Sequence, residues 1–88
     1  MSKPLFPLGL VLVTPGALFL GVSFCPFLRR HQCGDWGDLR DEDKAGNNYS
    51  VKNGLRILSA YHTPKGVKFW IITEADRSVT TILLPEEY

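Results

Sequence analysis

Residues 67–84 read VKFWIITEADRSVTTILL, and the alternation within this stretch decides the fold. Val67, Phe69, Ile71 and Thr73 fall on one side of a period-two pattern, and Lys68, Trp70, Ile72 and Glu74 on the other. The middle of the run is apolar on both sides, so Val67–Glu74 is predicted to be a central strand. Ala75-Asp76-Arg77-Ser78 forms a turn, with Glu74 and Arg77 expected to pair across it. Val79–Leu84 is a further strand, with Val79, Thr81 and Leu83 opposite Thr80, Ile82 and Leu84. Pro85 ends that strand.

Working toward the amino terminus, Thr63-Pro64-Lys65-Gly66 is a turn with proline at its second position and glycine at its fourth. Before it, Arg56–Thr63 reads as a strand that places Ile57, Ser59 and Tyr61 on one face. Leu58, Ala60 and His62 lie on the other. Three strands and two short turns make an antiparallel meander.

The first third poses a different problem. Between Lys3 and Arg29 no residue is charged. By length this resembles a signal peptide or a membrane span. Pro4, Pro7, Pro15 and Pro26, with Gly9, Gly16 and Gly21 between them, argue against both. A helix so interrupted would leave backbone groups unsatisfied in lipid. The expected reading is a buried strand, Leu8–Thr14, then a short helix or turn. Thr14 serves as its N-cap and Pro15 as its first residue. The strand adds to an edge of the meander.

In the middle, Pro26–Gln32 is predicted to be a short helix whose carboxyl-terminal turn carries Arg29, Arg30 and His31, favourably placed for the helix dipole. Gly34 stops it. Trp36, between Gly34 and Gly37, is expected to anchor a compact turn, and Trp70 is the second such anchor. A helix over Asp41–Asn47 follows, N-capped by Asp38 or Asp41. Gly46-Asn47-Asn48 is expected to break or loosen it. The fold class is α+β, an antiparallel sheet of about four strands with short helices packed on one face. At 88 residues the chain has room for a single domain, 1–88, and excludes a second folding unit.

Chemistry-bearing motifs are sparse. No glycine-rich dinucleotide loop, P-loop or nucleophile elbow is present, and no cofactor is expected. Cys25, His31 and Cys33 offer only three ligands at spacings unlike a zinc site. The acids at Asp35, Asp38, Asp41, Glu42 and Asp43 do not follow the calcium-loop pattern. No metal is expected. With a net charge of +1, nucleic acid would need Arg29, Arg30, Lys52 and Arg56 to form a stripe, which is not favoured. Two cysteines make no disulfide framework, and reduced thiols fit a cytoplasmic protein off the membrane. One catalytic set deserves a test. His31, His62, Glu74 and Arg77 would suit a small ribonuclease-like effector, with acid/base groups and a cation against phosphate. That reading requires them to converge on one sheet face. The competing reading is an accessory or interaction protein. Its apolar patch at Phe19, Leu20, Phe24 and Phe27 would suit a homodimer or a protein partner.

Several strings carry a resemblance. Phe27-Leu28-Arg29-Arg30-His31, Gly34-Asp35-Trp36-Gly37-Asp38-Leu39, GLRILSAY at 54–61 and WIITEADRSVTTILLPEEY at 70–88 resemble a family of small plasmid-related proteins. These occur on plasmids, integrative elements and integron gene cassettes. The segment from Gly9 to Thr14-Pro15-Gly16-Ala17-Leu18 is similar to its start. The resemblance implies a mobile-genetic-element neighbourhood and no established activity. Some members are labelled restriction-modification subunits, but this chain has no room for a methyltransferase fold. It departs from the family at Phe19–Pro26, short and apolar where the family carries a longer polar helix.

Overall fold

The computed structural model describes residues 3–88. In chain order the elements are β1 (Leu10–Val13), α1 (Pro15–Leu18), α2 (Cys25–Gln32), α3 (Asp41–Asn53), β2 (Ile57–His62), β3 (Lys68–Thr73) and β4 (Val79–Leu83), and a 3-10 turn at Pro85–Glu87 follows. The fold is α+β. Its single four-stranded sheet has the order β1-β4-β3-β2. The meander forms as its alternation requires, Tyr61 opposite Phe69 and Ile71 opposite Ile82. Gly66 N–H donates to Thr63 O (2.8 Å) to close the first turn. Asp76 Oδ1 accepts from the Ser78 N–H and O–H to shape the second.

The sheet is mixed rather than wholly antiparallel. β1 runs parallel to β4, Leu10 opposite Val79 and Val13 opposite Ile82. All three helices lie in the connection between β1 and β2, which makes a parallel partner reachable. β1 is shorter than Leu8–Thr14, and it is not buried. Its four residues are all exposed, because β1 is the outermost strand and no helix covers it.

One sheet face carries the core. Tyr61, Phe69, Ile71 and Ile82 pack there with Ala17 of α1, and Leu20, Phe24, Phe27 and Leu28 close over them. A second cluster joins Phe6, Trp36 and Ile57, with Leu8, Leu39 and Val51 against it. Trp36 is buried as expected, and its Nε1–H donates to Asn48 Oδ1 (3.0 Å). Trp70 is only half-buried, its ring edge-on to Tyr88.

Two corrections concern α3. It does not end at Asn47 but continues to Asn53, where Gly54 terminates it in the left-handed conformation (φ 65°). Asn47 is retained because its side chain serves the sheet: Nδ2–H donates to Leu58 O (2.7 Å) and Oδ1 accepts from Leu58 N–H (3.2 Å). Asn48 is held by Trp36 in the same way. The N-cap is Arg40, not Asp38 or Asp41; its extended backbone lets its carbonyl accept from Asp43 and Lys44 N–H. These bonds set α3 along the outer edge of β2, rather than on the sheet face beside α1 and α2.

Candidate functional site

His31 is fully buried, and it organises a line of polar side chains beneath α2. Its Nδ1 lies 2.5 Å from Ser59 Oγ and its Nε2 2.9 Å from Thr73 Oγ1. Thr73 is 2.8 Å from Thr80 Oγ1, and Thr80 O–H donates to Leu8 O (2.7 Å). The carbonyl at the end orders the protons. Thr80 has spent its one hydrogen on Leu8, so Thr73 donates to Thr80. Thr73 must then accept, so His31 Nε2 carries the hydrogen and Nδ1 accepts from Ser59 O–H. Every hydroxyl and ring hydrogen in this line then has an acceptor with the imidazole neutral. Burial pushes the His31 pKa down to about 3. The expectation that His31 sits as a charge at the helix end is therefore corrected: it is a neutral core residue, edge-on to Phe6 (5.2 Å) and Trp36 (5.9 Å).

The other members of the proposed catalytic set do not join it: His62 lies at one end of the sheet, and Glu74 and Arg77, which meet only through the Glu74 carbonyl, at the other. His62 is exposed at the far end of β2, and its Nδ1 is 2.5 Å from Asp38 Oδ2. Glu74 follows β3 at the opposite end and faces Arg56 at 3.8 Å. It does not pair with Arg77 through its carboxylate. Arg77 has a left-handed backbone (φ 62°), which turns its guanidinium inward. There it donates to Leu55 O (2.6 Å), Ser50 O (3.0 Å) and Glu74 O (3.2 Å), and lies 5.5 Å over the Phe6 ring. Arg77 is thus a cation at the carboxyl-terminal end of α3, on Ser50 O in its last turn and Leu55 O just beyond it. The convergence on one face that acid/base catalysis requires does not occur.

A cleft of about 450 Å³ opens between α3 and the face opposite the core. Leu58, Ala60 and Trp70 form its floor, and Asp43 and Lys68 carry the charged side chains in its lining. Lys68 stands opposite His62 in the register, but His62 is not part of the lining. Gly46 leaves the α3 wall open, since nothing lies within 4 Å of where a side chain would begin.

The predicted apolar patch divides. Phe24 and Phe27 pack their rings against Phe69 at 5.3 and 4.9 Å, and Leu20 lies against the same cluster. These three close the core because the connection from α1 to α2 crosses the sheet face. Phe19 alone projects, 90% exposed. The residues that sequence reasoning missed precede it: Leu10, Val11, Leu12, Val13 and Leu18 are all exposed. Unbroken apolar character is the available signal, and by itself it reads equally as a buried strand.

The remaining candidates are engaged structurally. Arg30 makes two bonds to Asp35 (2.7 and 3.3 Å) and lies 4.7 Å over the Tyr61 ring. That contact holds the Asp35 carboxyl below its ordinary range and raises the guanidinium. Tyr61 O–H donates to Asp35 O (2.6 Å), and burial pushes its pKa up to about 12. Among the described residues no three His, Cys, Asp or Glu side chains gather to hold a metal ion, and Cys25 and Cys33 form no disulfide. No helix among them is long and apolar enough to cross a membrane. No family model, curated protein or solved structure matches the chain.

Proposed function

We propose that the chain is a small, non-enzymatic accessory protein that works by binding another protein chain through the uncharged surface of residues 10–19. One observation carries this reading. Leu10, Val11, Leu12, Val13, Leu18 and Phe19 all face solvent within one short stretch, with only Thr14 separating β1 from α1. Scattered single apolar residues are normal on a surface, whereas a contiguous set marks a contact site. The resemblance to plasmid and gene-cassette proteins adds a mobile-element setting, and two thiols outside any disulfide fit a reducing cytoplasm. The separation of His31 and His62 from each other and from the Glu74 carboxylate, which faces Arg56, leaves the ribonuclease-like reading without its machinery.

The test is site-specific photocrosslinking in cells. A crosslinking residue in place of Phe19 is expected to yield an adduct of defined mass. The same residue in place of Lys52, exposed on α3, is expected to yield none. Equal labelling at both positions, or none at either, would remove the proposal.

A further inference from the structure

We infer that the partner is a second copy of this chain, joined β1 to β1 across a two-fold axis so that two four-stranded sheets become one of eight strands. This rests on reading residues 10–19 as an interaction surface.

The two edges of the sheet are treated very differently. The outer edge of β2 is closed. Ala60 N–H donates to Trp36 O (3.2 Å) and Ala60 O accepts from Asp38 N–H (2.7 Å). Asn47 takes both backbone groups of Leu58. The approach at Ala60 is close enough to require glycine, since a Cβ on Gly37 would lie 1.9 Å from Ala60 O. At the other edge no strand among the described residues lies beyond β1. Leu10 N–H and Thr14 N–H turn inward to Ser78 O (2.9 Å) and Ile82 O (3.0 Å). By the alternation of a strand, the backbone groups of Val11 and Val13 therefore point outward. Natural edges are blunted by lysine, proline, bulges or a covering element. Leu10–Val13 contains no charge and no proline, and it pairs with β4 residue for residue without a bulge.

Three features select a second copy over another occupant. A charged peptide finds little counter-charge, because Leu10–Phe19 itself carries none and the one carboxylate bonded to this stretch, Glu87, is engaged by Thr14 O–H and Gly16 N–H. For the same reason two copies of this edge do not repel each other. An antiparallel strand pair is also its own two-fold complement, the commonest symmetry of homodimers. The area allows a small interface: the exposed parts of Leu10–Val13, Leu18 and Phe19 come to at most roughly 600 Å² per copy, which places a fully buried pair at the lower bound for specific interfaces. The outward groups set the register. Val11 of one copy faces Val13 of the other, and Leu12 faces Leu12 across the axis.

The experiment is sedimentation velocity and native mass spectrometry of the full chain at tens of micromolar. A species of twice the 9.9 kDa chain mass is expected. Val11→Pro removes an outward N–H at an edge position where proline is tolerated, and it should weaken the dimer at least about tenfold. Leu12→Lys sets two ammonium groups across the axis and should do the same. Leu12→Cys, with Cys25→Ser and Cys33→Ser, should form an intermolecular disulfide on mild oxidation. Circular dichroism checks each fold, and should Val11→Pro unfold, Leu12→Lys decides. A monomeric wild-type chain overturns the inference, as does a dimer indifferent to the substitutions that fold. A monomer that still crosslinks from position 19 to a different protein overturns only the second copy and leaves the interaction reading in place. A monomer without adducts overturns both.

Discussion

His31 shows how a residue type that invites a catalytic reading becomes a core residue. Its two nitrogens are spent on Ser59 and Thr73, and its ring lies between aromatic edges. Stability should carry its signature. The unfolded His31 titrates near 6.5 and the folded one near 3, so the unfolded chain binds the extra proton between these values. The contribution is complete above pH 6.5 and is lost as pH falls toward 3, on the order of a few kcal/mol. Thermal melts from pH 7 to 3.5 should show this loss, and His31→Gln should flatten it. A nuclear magnetic resonance titration should find that His31 keeps its Nε2–H form down to pH 5; an ordinary midpoint for His31 would contradict the buried network. The clue in the sequence lay on the strands. Ser59 shares its face with Ile57 and Tyr61, and Thr73 shares its face with Phe69 and Ile71. Small hydroxyls on buried faces need a buried partner. Alternation shows the hydroxyls, but it does not show which distant histidine reaches them.

At the scale of elements, what was legible divides by the range of the cause. The meander follows from local alternation and two turns, and its strands appear within a residue or so of their expected ends. The same holds for α2, and for the Thr14-Pro15 start of α1, where Thr14 Oγ1 accepts from Ala17 N–H (3.3 Å). The extent of α3 was hidden because its support is long-range. Gly46-Asn47-Asn48 is a poor helical run by propensity, yet Asn47 and Asn48 bond to β2 and Trp36. Asn47→Ala should therefore cost about 1–3 kcal/mol in denaturant unfolding, since Leu58 loses both partners. Asn47→Asp should not rescue it, because a carboxylate offers Leu58 O no hydrogen. The divided apolar patch gives a second comparison. Phe27→Ala, which removes a ring packed tilted against Tyr61 and edge-on against Phe69, should cost about 3–5 kcal/mol. Phe19→Ser should change stability by no more than about 0.5 kcal/mol. Equal losses would mean that Phe19 is packed after all.

Over the whole molecule, the carboxyl-terminal turn is tied back to the start of α1. Glu87 accepts from Thr14 O–H (2.5 Å), Gly16 N–H (3.0 Å) and Leu84 N–H (2.9 Å). These bonds, Thr14 foremost, hold the Glu87 carboxyl below its usual range. Its support for α1 is present above the ordinary glutamate pKa and is lost as pH falls through the lower folded value. Glu87→Gln should speed hydrogen exchange at Gly16 and Ala17 while the amides of β3 stay protected; uniform exchange across both would show that the tie is not local. The candidate surface was the least legible feature at this scale. A run of leucine and valine reads the same whether it lies inside a sheet or along its rim. Only the strand order decides between them, and that order depends on pairing between the first strand and the last.

The parallel pairing of β1 with β4 has a consequence for how the protein is made. Leu10 leaves the ribosome long before Val79, the residue it must pair with. Through most of synthesis LVLV is an unpaired segment on a nascent chain, with both of its backbone edges available. Local hairpin contacts among β2, β3 and β4 form quickly, whereas closure between sequence-distant segments is slow. β1 is thus expected to dock last, onto a sheet already assembled. The interval before docking is when this chain is most exposed to chaperones, and most prone to pair with a neighbouring nascent chain on the same message.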